Sequence, residues 1–372
     1  MTTENVKPKT VRRSGIELLR IIAMLAIIVH HVLVYNRYAN VIPASVTDLR
    51  SSFISGLGCF GKFGVGVFFI ITGYFMAASK KAIEPKKKIM PIIRHALFYL
   101  FVSIVLGVIF APGDFEFAMP PNGVVSSYLR IFTSGVYWFV GAYVLLVILS
   151  PYFKKMLDAL SNKEVTRLCI IFALLASVGS DFCSLAFTGD VSNMILPTAF
   201  TFALIGYTLR RREDEIKSSG WAAAALLLGI LLVFCAAMVR SYYNAHEYGG
   251  IFGIFYGDQA TGTMLTAVGS FVIFSRMNWR SRFVNYIASS TFGVYLIHNS
   301  PFVADHIICG GGAISALLGK AVWHYSFPKA VAVIMGLSVA LFVICAAIES
   351  LRRLAVRLIV KFAHLVAKRK PC

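Results

Sequence analysis

Three ionisable side chains share one face of the first strongly apolar segment of the chain, residues 15–33. Glu17 and Arg20 are one helical turn apart. The eleven-residue step from Arg20 to His31 returns to within roughly 20° of the same direction, at about 100° per residue. A histidine can accept the proton of a hydroxyl nucleophile, and an arginine can bind phosphate. This stripe therefore predicts a functional site at Glu17, Arg20 and His31.

Ionisable groups at membrane depth are costly unless they line a pocket or a wet path, which favours a functional role for Arg20 and His31. The two residues are about 16 Å apart along a helix, so they cannot touch each other. Glu17 could hold Arg20 in place through an ion pair, and simple neutralisation of charge at the helix end stays open. His30 points roughly 80° away from the stripe and is interpreted as structural.

The composition is that of a membrane protein, with 58% hydrophobic residues, 14% charged residues and a mean hydropathy of +0.75. We therefore predict an all-α fold, a polytopic bundle of about ten transmembrane helices. The first apolar run lacks a small-residue cleavage site, so we expect it to stay as the first span. The predicted spans lie near residues 16–35, 56–78, 90–110, 128–152, 166–180, 191–209, 221–239, 262–275, 284–303 and 329–348.

The distribution of positive charge predicts the orientation of the bundle. If both termini are cytoplasmic, the inside segments hold 29 of the 36 Lys and Arg residues, as the positive-inside rule requires. The net charge of +19 is spread over six such segments, which argues against nucleic-acid binding and for contact with anionic lipids. We predict a membrane domain over residues 1–348 and a basic, amphipathic tail on the inner leaflet over residues 349–372.

The remaining segments carry no further predicted domain or metal site. The longest outer connections, residues 36–55, 240–261 and 304–328, are expected to be loops. Histidines and carboxylates show no spacing typical of metal ligands. The seven cysteines do not form a disulfide framework, and a bond between Cys183 and Cys309 stays open.

Four motifs together resemble the acyltransferase-3 family of integral-membrane acyltransferases. The spacing of Arg20 and His31 fits that family's basic residue, ten residues, then His. GVFFIITGYFM at residues 66–76 resembles its FFxxSGF segment, with Thr72 where Ser is usual. YWFVGAYVLLVILSP at 137–151 resembles its WFxxAY segment, and TFGVYLIHNSP at 291–301 its late YLxH segment. The family's RxxR pair is reduced to Arg94, with lysines upstream.

The resemblance implies an enzyme of the bacterial-type inner membrane that moves a short acyl group from acetyl-CoA or another acyl-CoA. The acceptor would be a hydroxyl of an envelope glycan, a lipid-linked saccharide or another exported molecule. In such a reaction His31 would be the base that takes the hydroxyl proton, and Arg20 would bind the phosphate or pantetheine end of the donor. Donor-binding candidates are Arg20, Lys87, Lys88 and Arg94, and positive-inside topology alone also predicts the last three. A multi-pass transporter of a saccharide or acylated metabolite is the alternative.

Five further side chains are candidates for binding the acceptor. Trp138 and Tyr143 could pack against sugar rings, although aromatic belts are also common at membrane interfaces. Tyr295, His298 and Asn299 place three polar groups within five residues, which could bind an acceptor, orient a base or form a buried hydrogen-bond network. The oligomeric state is not predicted.

Overall fold

A computed structural model describes residues 12–38, 49–80, 82–111, 137–186, 195–216, 218–244, 257–309 and 312–368. Within these ranges the fold is all-helical, as predicted. The first half contains α1 (Ser14–Tyr38), α2 (Leu49–Phe60), α3 (Phe63–Ala78), α4 (Pro85–Phe110), α5 (Trp138–Ala159) and α6 (Asn162–Ala186). The second half contains α7 (Ile195–Arg211), α8 (Gly220–Asn244), α9 (Thr261–Ser275), α10 (Arg282–Ala288), α11 (Thr291–His298), α12 (Pro301–Val303, continued by a π-helical turn, Ala304–Ile308), α13 (Ala313–His324) and α14 (Phe327–Lys368).

Among the described residues, six helices are long and apolar enough to cross a membrane. Counting the bent pair Pro301–Ile308 and Ala313–Val322 as one broken span raises the number to seven. The structure thus supports a multi-pass membrane protein, whereas the count of ten spans and the cytoplasmic placement of both termini stay predictions.

Helix α1 occupies the middle of the bundle. It packs against α2 and α3 on one side and against α9, α10, α11 and α14 on others. Leu19, Ala23, Ile28 and Val32 are completely or almost completely buried in these contacts. Because α1 has neighbours all around, its polar stripe faces protein and a cavity.

Helices α3 and α7 form the most extensive helix pair of the bundle, and two glycines let their backbones touch. A Cβ added at Gly73 would lie 1.8 Å from the carbonyl oxygen of Ala203. One added at Gly206 would lie 1.9 Å from the carbonyl oxygen of Ile70. No side chain can occupy those positions unless the helices separate. This pair fixes the position of α3 beside α1.

Two sequence predictions about the late part of the chain need correction. The span predicted at 284–303 is broken into α10, α11 and α12, with breaks at Ser289–Ser290 and before Pro301, which has no N–H to continue a helix. The connection predicted as a loop at 304–328 contains a π-helical turn and α13. The second break leaves Asn299 and Ser300 outside regular helix, directly beside α1.

Helix α14 runs without interruption from Phe327 to Lys368, through the predicted boundary between membrane domain and tail. The side chains of Leu351, Leu354 and Leu358 on its later part are more than half exposed. An inner-leaflet position for that part stays a prediction.

Candidate active site

A cavity of about 360 Å³ opens beside α1 and brings five of the predicted site residues together. Arg20 and His31 line it from α1, Trp138 and Tyr143 from α5, and Tyr295 from α11. Its walls are mainly apolar and aromatic, with a few polar groups, which is typical of small-molecule sites. Two of the three residues of the predicted stripe, Arg20 and His31, therefore face one cavity.

The most informative contact in this cavity joins two histidines that are far apart in the sequence. His31 Nδ1 lies 2.9 Å from His298 Nε2, and His298 Nδ1 lies 2.7 Å from the carbonyl oxygen of Val294. A carbonyl oxygen only accepts hydrogen bonds, so His298 carries its hydrogen on Nδ1. With both rings neutral, His298 Nε2 accepts from His31 Nδ1–H. The lone pair of His31 is then on Nε2.

Two more side chains hold the His31 ring in place. Tyr35, one turn further along α1, stacks on His31 with ring centroids 5.1 Å apart and planes inclined by 7°. The Tyr35 hydroxyl donates a hydrogen bond to Asn299 Oδ1. His298 is fully buried and Asn299 nearly so, and neither lines the cavity. The structure thus places these two acceptor-binding candidates behind His31, where they can orient a base.

Arg20 is held at the other end of the stripe by Glu17. The Arg20 guanidinium donates to both carboxylate oxygens of Glu17, at 3.0 and 3.1 Å. Glu17 is buried, while about a quarter of the Arg20 side chain is exposed. The ion pair therefore fixes the direction of Arg20 and leaves part of its guanidinium accessible.

The other predicted donor-binding cations lie apart from this cavity, at the start of α4. Lys87 and Arg94 are exposed, and Lys87 pairs with Glu84 at 2.7 Å. Lys88 is exposed and borders a separate void of about 20 Å³, which shares Thr72 and Tyr143 with the main cavity. None of the three lines the main cavity.

His30 has a different environment from its neighbour His31. Its Nδ1 donates to the carbonyl oxygen of Gly58 on α2, at 2.6 Å. The ring does not line the cavity. His30 therefore ties α1 to α2, in accordance with the structural interpretation.

The sequence reasoning missed a buried carboxylate at the end of the membrane domain. Glu349 on α14 is 1% exposed and accepts hydrogen bonds from Tyr99 at 2.8 Å and Arg352 at 2.8 Å, with His95 Nε2 at 3.0 Å. His95 in turn contacts the ring of Phe292, which lines the cavity. The sequence did carry one signal for this cluster, because Glu349 is a lone acidic residue at the end of an apolar run.

The same cluster reaches the cavity wall through a second arginine. Arg353 donates to the hydroxyls of Ser289 and Ser290 at the break between α10 and α11. Ser289 lines the cavity. The carboxylate of Glu349 and these arginines therefore hold α4, α11 and α14 together around the site.

Within the described ranges, no group of three or more His, Cys, Asp or Glu side chains is arranged to hold a metal ion. Cys309 donates to the carbonyl oxygen of Tyr35 at 3.4 Å, and the side chain of Cys183 lies outside what the structure describes.

Fold and cavity together define an integral-membrane protein with a histidine site inside its helix bundle. A family model described as an acyltransferase domain, that of the acyltransferase-3 family, matches residues 13–349. The chain belongs to this family, which indicates a membrane acyltransferase and does not favour the transporter alternative. Searches of curated proteins and of solved structures found no significant match.

Proposed function

We propose that the protein transfers a short acyl group from an acyl-CoA to a hydroxyl of an envelope glycan, a lipid-linked saccharide or another exported acceptor. Acetyl is the acyl group that we favour. The observation that carries this proposal is the shared cavity of Arg20 and His31, in which His31 keeps Nε2 available. Family membership supplies the reaction type, acyl transfer. The donor and acceptor classes come from the motif resemblance and from the chemistry of the lining residues.

The proposed reaction uses His31 as a general base and then as a general acid. The acceptor hydroxyl gives its proton to His31 Nε2 while its oxygen attacks the thioester carbonyl carbon. The tetrahedral intermediate collapses, the carbon–sulfur bond breaks, and the leaving thiolate takes the proton from His31. The products are an ester and a free thiol, and His31 returns to its neutral form.

The surrounding residues have proposed roles that follow from their positions. His298 and Asn299 orient the base, His298 directly and Asn299 through Tyr35. Arg20, held by Glu17, binds the phosphorylated or pantetheine part of the donor, which fits its distance from His31 of about 16 Å along the helix axis.

The aromatic wall of the cavity is proposed to bind the acceptor. Trp138 and Tyr143 both line the cavity from α5, and the ring centroid of Tyr295 lies 5.6 Å from that of Phe139. Flat rings of this kind pack well against the apolar faces of sugars, and their polar edges can bind hydroxyls. The aromatic wall therefore suits a saccharide acceptor.

The first test is an incorporation experiment with full-length protein in nanodiscs. Radiolabelled acetyl-CoA is incubated with a lipid and envelope-glycan extract from the host, alongside the His31→Ala variant. Label that appears in the glycan or lipid fraction with the wild-type protein and not with the variant would support the proposal and identify the acceptor class. Absence of both label transfer and acetyl-CoA binding would overturn it.

A further inference from the structure

A second and larger cavity, of about 560 Å³, opens at the end of the bundle where α1 begins. Its walls come from the segment before α1, from the ends of α7 and α9, and from the loop 276–280 that joins α9 to α10. Four arginines line it: Arg12, Arg13, Arg276 and Arg280. By the positive-inside rule this end of the protein faces the cytoplasm.

The charge of this second cavity is only partly neutralised. Glu213 is its one acidic lining residue among those described, and it is already paired with Arg13 at 2.5 Å and with Arg210. Arg12 donates to the backbone carbonyl oxygen of Asn285, and neither Arg12 nor Arg280 pairs with a carboxylate in the described part of the chain. The cavity therefore offers guanidinium groups for an anionic ligand.

The lining also includes a surface suited to a flat ring. Trp279 lies between Asn278 and Arg280 in the 276–280 loop, and its side chain is 37% exposed. Indole and guanidinium groups both stack on nucleobases. The arginines can bind the phosphates of a phosphorylated nucleoside while the accessible tryptophan stacks on its base. A simple phosphate would make no use of the tryptophan.

The two cavities meet at Arg12, which lines both. From Ser14, the first residue of α1, to His31 the helix rises about 25 Å. A donor bound in both cavities must therefore separate its anionic end from its acyl group by about 20 Å or more. A small acyl phosphate cannot do this, whereas a nucleotide with a long pantetheine arm can.

We propose that the cavity lined by Arg12, Arg276, Trp279 and Arg280 binds the phosphorylated adenosine end of the acyl donor, while its arm passes Arg12 and Arg20 toward His31. This inference rests on the proposed acyltransferase function. It assigns the nucleotide end to the 276–280 loop instead of Lys87, Lys88 and Arg94, which line neither large cavity.

The test measures equilibrium binding of coenzyme A to full-length protein in phosphatidylcholine nanodiscs. Arg280→Gln is expected to weaken binding about tenfold, the usual loss for one charge-assisted hydrogen bond, and Trp279→Ala is expected to weaken it as well. Arg282→Gln is the matched control, since Arg282 is exposed nearby and does not line the cavity. Adenosine 3′,5′-bisphosphate should compete with coenzyme A, and pantetheine alone should compete poorly.

The outcomes separate this inference from the proposed function. Coenzyme A binding that Arg280→Gln and Trp279→Ala leave unchanged, or that Arg94→Gln alone weakens, would overturn the nucleotide site and leave the acyltransferase proposal standing. No binding of coenzyme A to the wild-type protein would overturn both. Displacement of coenzyme A by phosphatidylglycerol, without competition from adenosine 3′,5′-bisphosphate, would assign the arginines to a lipid headgroup and also overturn the inference.

Discussion

The pairing of His31 with His298 explains how a single histidine can serve as a base without a neighbouring carboxylate. The Val294 carbonyl fixes the hydrogen of His298, which in turn fixes the hydrogen of His31 on Nδ1. In hydrolytic triads a carboxylate orients the histidine and stabilises its charged form. Here a neutral ring does the orienting, so the arrangement sets the tautomer and adds no negative charge.

We predict different effects on kcat for two replacements of the fully buried His298. Leu cannot accept from His31 Nδ1–H, so His298→Leu should lower kcat by at least about tenfold, the rate equivalent of one lost hydrogen bond. His298→Gln keeps an acceptor and should retain more activity. The measurement is kcat and KM for acyl transfer. A KM for the donor that stays constant would show that the loss comes from the orientation of His31 and not from weaker donor binding. Equal losses in both variants would contradict the positioning role.

The sequence predicted the residues of the stripe and the pairing of Glu17 with Arg20, but not the partner of His31. Glu17, Arg20 and His31 are close in sequence, so helical periodicity alone placed them on one face. The contact between His31 and His298 joins positions 267 residues apart and depends on where the chain breaks before Pro301. No local pattern predicts a contact over that sequence separation, so the sequence alone leaves His298 open between binding an acceptor, orienting a base and forming a buried hydrogen-bond network.

At the scale of elements, the contact between α3 and α7 sets the shape of the site. Phe68 and Thr72 of α3 line the cavity, and backbone contact at Gly73 and Gly206 fixes α3 against α7. Small residues at such positions are typical of helix pairs in membranes, where close packing replaces the hydrophobic drive. The width of the cavity thus depends on two residues without side chains.

We therefore expect Gly73→Ala to destabilise the protein by about 2 kcal/mol or more, because the added methyl group meets a backbone that cannot move aside. Gly336→Ala is the matched control, since a Cβ at that helical position has nothing within 4 Å. It should leave stability unchanged or slightly raised. Thermal unfolding of both variants in detergent checks this, and a Gly73→Ala midpoint equal to the wild type would contradict the close contact.

The lengths of the apolar runs predicted most of the helices. They did not predict the helix breaks where polar residues interrupt an apolar run. The predicted run 284–303 is long enough to cross a membrane, yet Ser289, Ser290 and the Asn299–Pro301 segment divide it into three short helices. At the first break, Arg353 donates hydrogen bonds to both serine hydroxyls. Because Arg353 lies on α14, far along the chain, the residues around the break could not predict this contact.

At the scale of the whole molecule, a charged cluster joins three helices at the end where α1 begins. Arg13 and Arg210 both donate to Tyr74 and Glu213. Burial alone would raise the pKa of Glu213, but hydrogen bonds from Arg13 and Tyr74 outweigh it and lower the pKa of this carboxyl below its ordinary 4.5. The charged carboxylate therefore stabilises the folded state.

This shift predicts a pH dependence of stability. A depressed folded-state pKa contributes stability that is fully present above the ordinary pKa of 4.5 and is lost as the pH falls through the folded-state value. Wild type and Glu213→Gln should therefore differ in unfolding temperature at neutral pH and converge below pH 4.5. Glu215→Gln, at an exposed ion pair with Arg212, serves as control and should change little. A difference that grows toward acid pH would contradict this assignment.

The proposed function places acyl transfer in the cavity around His31. The most direct measurement is the rate of acetyl transfer by His31→Ala and His30→Ala, at matched protein levels in the membrane and saturating donor. We predict a loss of about 10²- to 10⁴-fold for His31→Ala, the usual contribution of a general base, with unchanged donor binding. His30→Ala should lose far less, because His30 bonds the Gly58 carbonyl outside the cavity. Comparable losses of activity in both variants, or full activity without His31, would contradict the proposed role of His31 as the base.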